Sequence, residues 1–210
     1  MQNQQINMGK LFPIIPFVDL VHGLTVKNPT VAEIGVYDGS TTMHYIDKII
    51  QTQGRLFVVD WFNGNVDAGP GIHQYDEEKA DSVFYEFLSN IHRAIPYTTI
   101  LRGKSHDMIP LIPDKSLDIC FIDADHRYEG VYKDIDLCMP KIKPGGIICG
   151  HDCNNYHLAN TFDREYLKYD CHPDGNHYGV IQAVYEHFGD DVLIIGDKYG
   201  QNNNVWVKKL

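Results

Sequence analysis

The sequence predicts an α/β fold, a mostly parallel, doubly wound sheet covered by helices on both faces. Three observations carry that prediction. Short apolar runs alternate with segments of helical spacing along most of the 210 residues. A glycine-bearing loop, EIGVYDGS, leads from one apolar run into a helix, and the next run ends in Asp60. The stretch LDICFIDADHRYEGVYKDIDLCMPKIKPGGIICGHD, residues 117–152, reads strand, loop, helix, turn, strand. Asp123 and Asp125 follow its first strand and Asp152 its second. Parallel strands place their carboxyl ends on one edge of the sheet, where ligands bind in open α/β folds.

Residues 1–29 read as a lead-in with a short helix near 17–22, and Asn28-Pro29 marks a turn. A buried strand is expected at 31–34. Gly35 and Gly39 bracket the loop, and Ser40 or Thr41 can cap a helix over 41–52. LFVVD completes a βαβ unit of about 30 residues. Residues 61–76 form a long loop rich in Gly, Asn and Asp. A helix over 77–94, stopped by Pro96, presents Val83, Phe84, Phe87, Leu88 and Ile91 on one side. Further on come a strand at 97–101, a short helix at 107–111 and a strand at 117–122. A helix over 129–142, a Pro144-Gly145-Gly146 turn and a strand at 147–150 follow. Residues 153–177 lack periodicity and read as an active-site insertion. After a helix over 178–188, VLIIG and VWVKK lie close enough for an antiparallel hairpin across a turn at 197–203. No repeat or linker divides the chain, so a single domain over 1–210 is expected.

The formal net charge of −10 opposes general binding to a phosphate backbone, so nucleic acid is not an expected partner. Five cysteines without a leader suggest reduced thiols in the cytoplasm. The apolar run at 11–24 is broken by Pro13, Pro16, Asp19 and His22, and neither a signal peptide nor a membrane span is expected. That run could instead dock on a neighbouring copy, giving a homo-oligomer.

Two sites emerge at the strand ends. In the first, Gly35 and Gly39 let backbone approach a ligand, and Asp60 can accept both hydroxyls of a ribose. The spacing is not G-x-G-x-x-G, so adenosine without a pyrophosphate is better served than a dinucleotide. Glu33 lies inside the first strand. It either bonds neighbouring backbone or supports the glycine loop from behind. The second site is Asp123, Asp125, His151 and Asp152, an oxygen-rich set suited to Mg²⁺, Ca²⁺ or Mn²⁺. Asp125 also reads as a helix cap, which leaves Asp123, His151 and Asp152 as the metal set. His126 can accept a proton from an attacking hydroxyl, and His177 is a second candidate base. A rival thiol set, Cys149, His151, Cys153 and Cys171, could hold Zn²⁺ but contains no C-x-x-C.

Together EIGVYDGSTT, FVVD, FIDADHRYEGVYKDI and PGGIICGHD resemble class I S-adenosylmethionine-dependent methyltransferases. The likeness is to the metal-dependent caffeoyl-CoA and catechol O-methyltransferases and to the macrocin O-methyltransferase-like group, over about residues 30–152. It implies a Rossmann-like sheet of seven strands, the last hairpin inserted antiparallel. Glu33, Gly35 and Gly39 would shape the methionine and ribose end of the donor, and Asp60 would bind the ribose. Gly103, Lys104 and Ser105 would lie along the adenine. Asp123 would border the donor and hold the cation with His151 and Asp152. His126 stands where the caffeoyl-CoA group has a lysine base, and His151 where an acid is usual. The implied reaction is O-methylation of a small hydroxylated acceptor, a sugar or natural-product-like molecule, with S-adenosylmethionine as donor and a divalent cation assisting. The acceptor would contact the loops at 61–76 and 153–177, through Tyr75, Tyr156, Phe162, Tyr166 and Tyr169. The alternatives are an NAD-dependent oxidoreductase and a non-catalytic S-adenosylmethionine-binding domain.

Overall fold

The structure, a computed structural model, describes residues 14–64, 75–196 and 204–210. The start of the lead-in (1–13), most of the loop after Asp60 (65–74, with His73) and the expected turn at 197–203 lie outside the described residues.

Among the described residues seven strands form one sheet in the order β3-β2-β1-β4-β5-β7-β6. They are β1 Thr30–Ile34, β2 Arg55–Asp60, β3 Thr98–Arg102, β4 Leu117–Ile122, β5 Ile142–Gly150, β6 Leu193–Ile195 and β7 Val205–Lys209. The first five run parallel. β7 is antiparallel to β5, and β6 to β7, as the expected hairpin requires. Strand order reverses between β1 and β4, which opens a crevice at their carboxyl ends.

Side chains of β4 alternate between two buried faces. Ile119 and Phe121 join one core with α1 (Ile15–His22), α2 (Ile46–Thr52) and α3 (Glu77–Ile91). Cys120 and Ile122 join the other with α5 (Tyr128–Cys138) and α6 (Tyr178–Phe188). The short α4, Ser105–Met108, follows β3. The described part of the lead-in docks on its own sheet. Phe17 is fully buried, stacked on Phe121 at 4.2 Å between ring centroids. Among the described residues no helix is long and apolar enough to cross a membrane.

The departures from sequence expectation have local causes. The helix expected over 41–52 is a 3₁₀ turn, Thr42–His44, followed by α2. Between them Tyr45 takes φ −122° and ψ −2°, and its hydroxyl reaches inward to Glu33. The helix expected to 94 closes at Ile91 and runs on as a 3₁₀ segment, His92–Tyr97, that contains Pro96. The helix expected at 107–111 opens earlier, at Ser105, and ends in a 3₁₀ turn, Ile109–Leu111. α5 stops at Cys138 because Pro140 supplies no N–H, and the chain passes through a 3₁₀ turn, Met139–Lys141. The Pro-Gly-Gly element is an irregularity inside β5 instead of a turn before it. Leu117 already pairs with Ile142, the register shifts, and Gly145 donates its N–H to the Leu210 carbonyl.

Candidate active site

Four strand ends lie level. Backbone bonds continue the ladders one residue past them, from Gly103 N to Asp60 O (2.9 Å), Gly35 N to Val59 O (2.8 Å), Asp123 N to Ile34 O (2.7 Å) and His151 N to Ile122 O (3.1 Å). Above this edge lies a cavity of about 640 Å³. Gly35, Asp60, Gly103, Lys104, Ser105 and Asp123 line it, and so do Glu33, His126, His151 and Asp152. Gly39 does not. Its φ is +78°, and a Cβ there would meet the Phe87 ring at 2.9 Å, so it serves the approach of α3 to the loop.

At one end the cavity is built mainly of backbone. Gly35 has φ +86°, and a Cβ there would lie 2.0 Å from the Asp123 carbonyl oxygen. Only glycine lets the β1 loop pass over the end of β4. The Asp60 carboxylate fixes that loop. Its Oδ2 accepts from Val36 N (2.7 Å) and Tyr37 N (2.8 Å), and its Oδ1 accepts from Phe62 N (2.5 Å). Burial pushes the Asp60 carboxyl up, and these three N–H groups oppose the rise. The residue expected to meet a ribose therefore also anchors the loop, since each carboxylate oxygen accepts more than one bond. Glu33 is buried, and its partners are side chains instead of the backbone expected as one of its two readings. Tyr45 Oη donates to its Oε2 at 2.5 Å and Thr42 Oγ1 at 2.7 Å. Burial raises the Glu33 carboxyl to about 8. Across the cavity the Lys104 ammonium sits over the Trp61 ring at 4.8 Å. Asp134, fully buried on α5, has its Oδ1 3.4 Å from His106 Nε2, and burial raises its carboxyl to about 7.

The other end is built of charged side chains. His126 Nε2 lies 3.2 Å from both Asp123 Oδ1 and Asp152 Oδ2, and its Nδ1 lies 3.0 Å from Asp170 Oδ1. His151 Nδ1 lies 3.3 Å from Asp152 Oδ1 and 3.6 Å from Asp123 Oδ1, while its buried Nε2 has no hydrogen-bond partner among the described residues. Asp152 turns back into the group through a left-handed backbone, φ +58°, which is unusual for a residue with a Cβ. Burial alone would favour neutral forms, but the opposite charges outweigh it. Asp123 is held well below the usual carboxylate range by His151 and His126. His126 is held well above the usual imidazole range by Asp123, Asp170 and Asp152. His151 is pushed up to about 10, chiefly by Asp123.

Asp125 stands apart from this group. Its Oδ1 accepts from Arg127 N at 2.9 Å, and the carboxylate grips the Arg127 guanidinium at 3.0 and 2.6 Å. It closes the turn into α5 from two residues before the helix's N-cap, Arg127. The thiols are not brought together. Cys149 donates to the Cys120 carbonyl in one core, Cys153 lies in the other, and Cys171 is exposed. Among the described residues no cysteine belongs to a candidate metal group. Of the insertion's aromatics, Phe162 and Tyr166 pack on Tyr178 of α6, at 4.4 and 5.3 Å between centroids. Tyr156 donates to the Gly189 carbonyl, whereas Tyr75 does line the cavity. Asp170 had no sequence signal, because the segment around it has no periodicity from which a direction could be read.

The profile of a family described as a methyltransferase domain matches residues 32–153, more than half of the chain. An uncharacterized protein of Sinorhizobium fredii, y4gI, is 24% identical over 135 residues, which are 63% of this chain and 14% of that protein. The chain thus spans a small fraction of that relative's length. Among solved structures, the TDP-rhamnose 3′-O-methyltransferase CalS11 of calicheamicin biosynthesis superposes with a TM-score of 0.58 at 15% identity, covering 93% of this chain and 78% of that one. An O-methyltransferase from Bacillus cereus, in complex with S-adenosylhomocysteine, gives 0.60 at 16% identity, covering 94% and 79%. At these identities the likeness shows the fold. The motifs, the strand order with its terminal hairpin and the family profile agree: this chain belongs to the methyltransferase domain family and carries the class I S-adenosylmethionine-dependent methyltransferase fold.

Proposed function

We propose that the protein transfers the methyl group of S-adenosylmethionine to an oxygen of a small hydroxylated acceptor, a sugar or natural-product-like molecule. One observation carries the reading. A single cavity wall runs from the glycine loop, Asp60 and Lys104-Ser105 to Asp123, His126, His151 and Asp152. An adenosine between Asp60 and Ser105 would direct the donor's sulfonium toward Gly35 and Asp123, beside the charged end. CalS11, one structural neighbour, acts on a sugar nucleotide by its description, which supports a sugar-like acceptor.

In this reading the acceptor oxygen attacks the methyl carbon, the carbon–sulfur bond breaks, and S-adenosylhomocysteine leaves neutral. The protein contributes alignment of the two reactants and a route for the acceptor's proton. His126 and Asp123 are the proposed catalytic pair. His126 can take that proton only if the charge of the carboxylates around it is offset, because they otherwise keep its imidazole protonated. Asp123, His151 and Asp152 fit a divalent cation that would supply the offset. One ligand atom from each lies within 4.8 Å of the others, and His151 Nδ1 faces both carboxylates. Such a cation, when bound, supplies Lewis acidity toward the acceptor hydroxyl.

Calorimetry with S-adenosylhomocysteine and NAD tests the donor. Binding of S-adenosylhomocysteine alone is expected, and binding of NAD alone would refute the proposal. Transfer of label from S-adenosylmethionine to hydroxylated acceptors then separates an enzyme from a binding domain.

A further inference from the structure

We infer that His106 and Asp134 read the base of the donor: Asp134, buried on α5, and the Gly130 carbonyl fix the His106 imidazole so that its Nδ1 accepts a hydrogen bond from the exocyclic amine of adenine. The inference deepens the methyltransferase reading and rests on it for the place of the adenine, beside Ser105. It assigns His106 to binding the donor and Asp134 to positioning His106.

Asp134 is the anomaly that points there. It is fully buried, and among the described residues neither carboxyl oxygen has a hydrogen-bond partner. Val131, Ile135 and Cys138 of the same helix belong to an apolar core. A leucine among them would avoid the cost of burying an unpaired polar group. Burial raises the Asp134 carboxyl to about 7, and the nearby Ser105 hydroxyl opposes the rise. Ser105 and His106 both line the cavity, and Asp134 Oδ1 lies 3.4 Å from His106 Nε2. The acid therefore faces the back of the cavity wall.

His106 Nε2 lies 3.4 Å from two oxygens, the Gly130 carbonyl and Asp134 Oδ1. A carbonyl oxygen only accepts, so Nε2 carries the hydrogen and a neutral ring has its lone pair on Nδ1. The other tautomer would turn that lone pair against both oxygens. Nδ1 has no hydrogen-bond partner among the described residues, and the His106 side chain is 31% exposed at the cavity wall. That nitrogen selects the ligand. Adenine offers N–H donors at its amine, where hypoxanthine offers a carbonyl. A lone pair on Nδ1 attracts the first and repels the second. A site built to bond an N–H group rejects an analogue that lacks it far more strongly than an apolar pocket does.

The test measures binding of S-adenosylhomocysteine and of its inosine counterpart, S-inosylhomocysteine, to the full-length protein by calorimetry. Wild type should prefer the adenine form about 10- to 100-fold. His106→Phe keeps a ring at the wall without the acceptor and should bring the two affinities within about threefold of each other. Asp134→Leu should lower the preference about 10-fold, whereas Asp134→Asn, whose amide oxygen still accepts from Nε2, should retain it. An acid with a purely structural role would change stability and leave the preference alone. Nitrogen NMR of the histidine-labelled wild type above neutral pH should show His106 protonated at Nε2, a readout that does not depend on any variant folding. Equal wild-type affinities, a hydrogen on Nδ1, or His106→Phe or Asp134→Leu proteins with the wild-type preference would overturn the inference. If S-adenosylhomocysteine binds in those cases, the methyltransferase reading stands and this inference falls alone. If S-adenosylhomocysteine does not bind the wild type, both fall.

Discussion

The two ends of the cavity solve opposite problems. At the donor end two acids are engaged before any ligand arrives: the Asp60 carboxylate takes three backbone N–H groups and Glu33 takes two hydroxyls. At the charged end Asp123, His126, His151 and Asp152 crowd together, and one His151 nitrogen has no hydrogen-bond partner among the described residues. The first end is a mould whose shape is backbone. The second is a set of charges that balance one another and would rearrange around a ligand. Substitutions at the first should act through stability and shape, and at the second through protonation and ion binding.

Gly35 joins the two ends, and changing it should have the largest effect. Gly35→Val places a Cβ against the Asp123 carbonyl from a left-handed backbone, so a loss above about 3 kcal/mol is expected in denaturant melts. A loss below about 1 kcal/mol would mean that the loop does not cross β4 so closely. Asp60→Ala is the next test. It strips three N–H groups of their acceptor and should cost roughly 2–4 kcal/mol, together with most of the affinity for S-adenosylhomocysteine.

The charged end is sharpened by titration. Asp123→Asn removes the main influence holding the His151 imidazole near 10, and its NMR titration should move back toward about 6.5. An unmoved His151 would show that Asp152 alone sets it.

Glu33→Gln distinguishes the ends by its pH dependence. The folded carboxyl is raised to about 8 from an ordinary 4.5, so between those values the folded protein binds more protons than the unfolded chain. The stability contributed by the protonated group is complete below about 4.5 and is lost as pH rises through about 8. Glutamine mimics the protonated acid. The variant should match wild type near pH 5 and exceed it at pH 9 in thermal melts, while a parallel decline in both would remove Glu33 as the cause. The smallest effect is expected at Tyr85, which is 64% exposed on α3. Tyr85→Ser should shift stability by less than about 0.5 kcal/mol and leave both ends untouched.

How much was legible in the sequence follows the same division. The strand beginning at Leu117 and the helix beginning at Tyr178 stand where the periodicity placed them, because burial on a sheet face or helix face writes itself into every second or every third to fourth residue. The ends of α3 and α5 are not legible in the spacing, since a 3₁₀ turn continues helical spacing without helical bonding. Asp123 and Asp152 could be paired in advance because adjacent parallel strands must bring their ends together. Asp170 could not, since it lies in irregular chain where direction is set by packing of Phe162 and Tyr166 on α6.

By itself the sequence determined the sheet, the glycine loop and the acids at its edge, all consequences of local conformation and of strand polarity. Tertiary structure alone decided that Asp60, expected to meet a ribose, also anchors the glycine loop, that Gly39 faces α3 instead of the cavity, and that Asp170 and His177 close on His126. Each of these is a contact between segments far apart in the chain. Its geometry depends on how the helices and the insertion settle on the sheet, which no periodicity encodes.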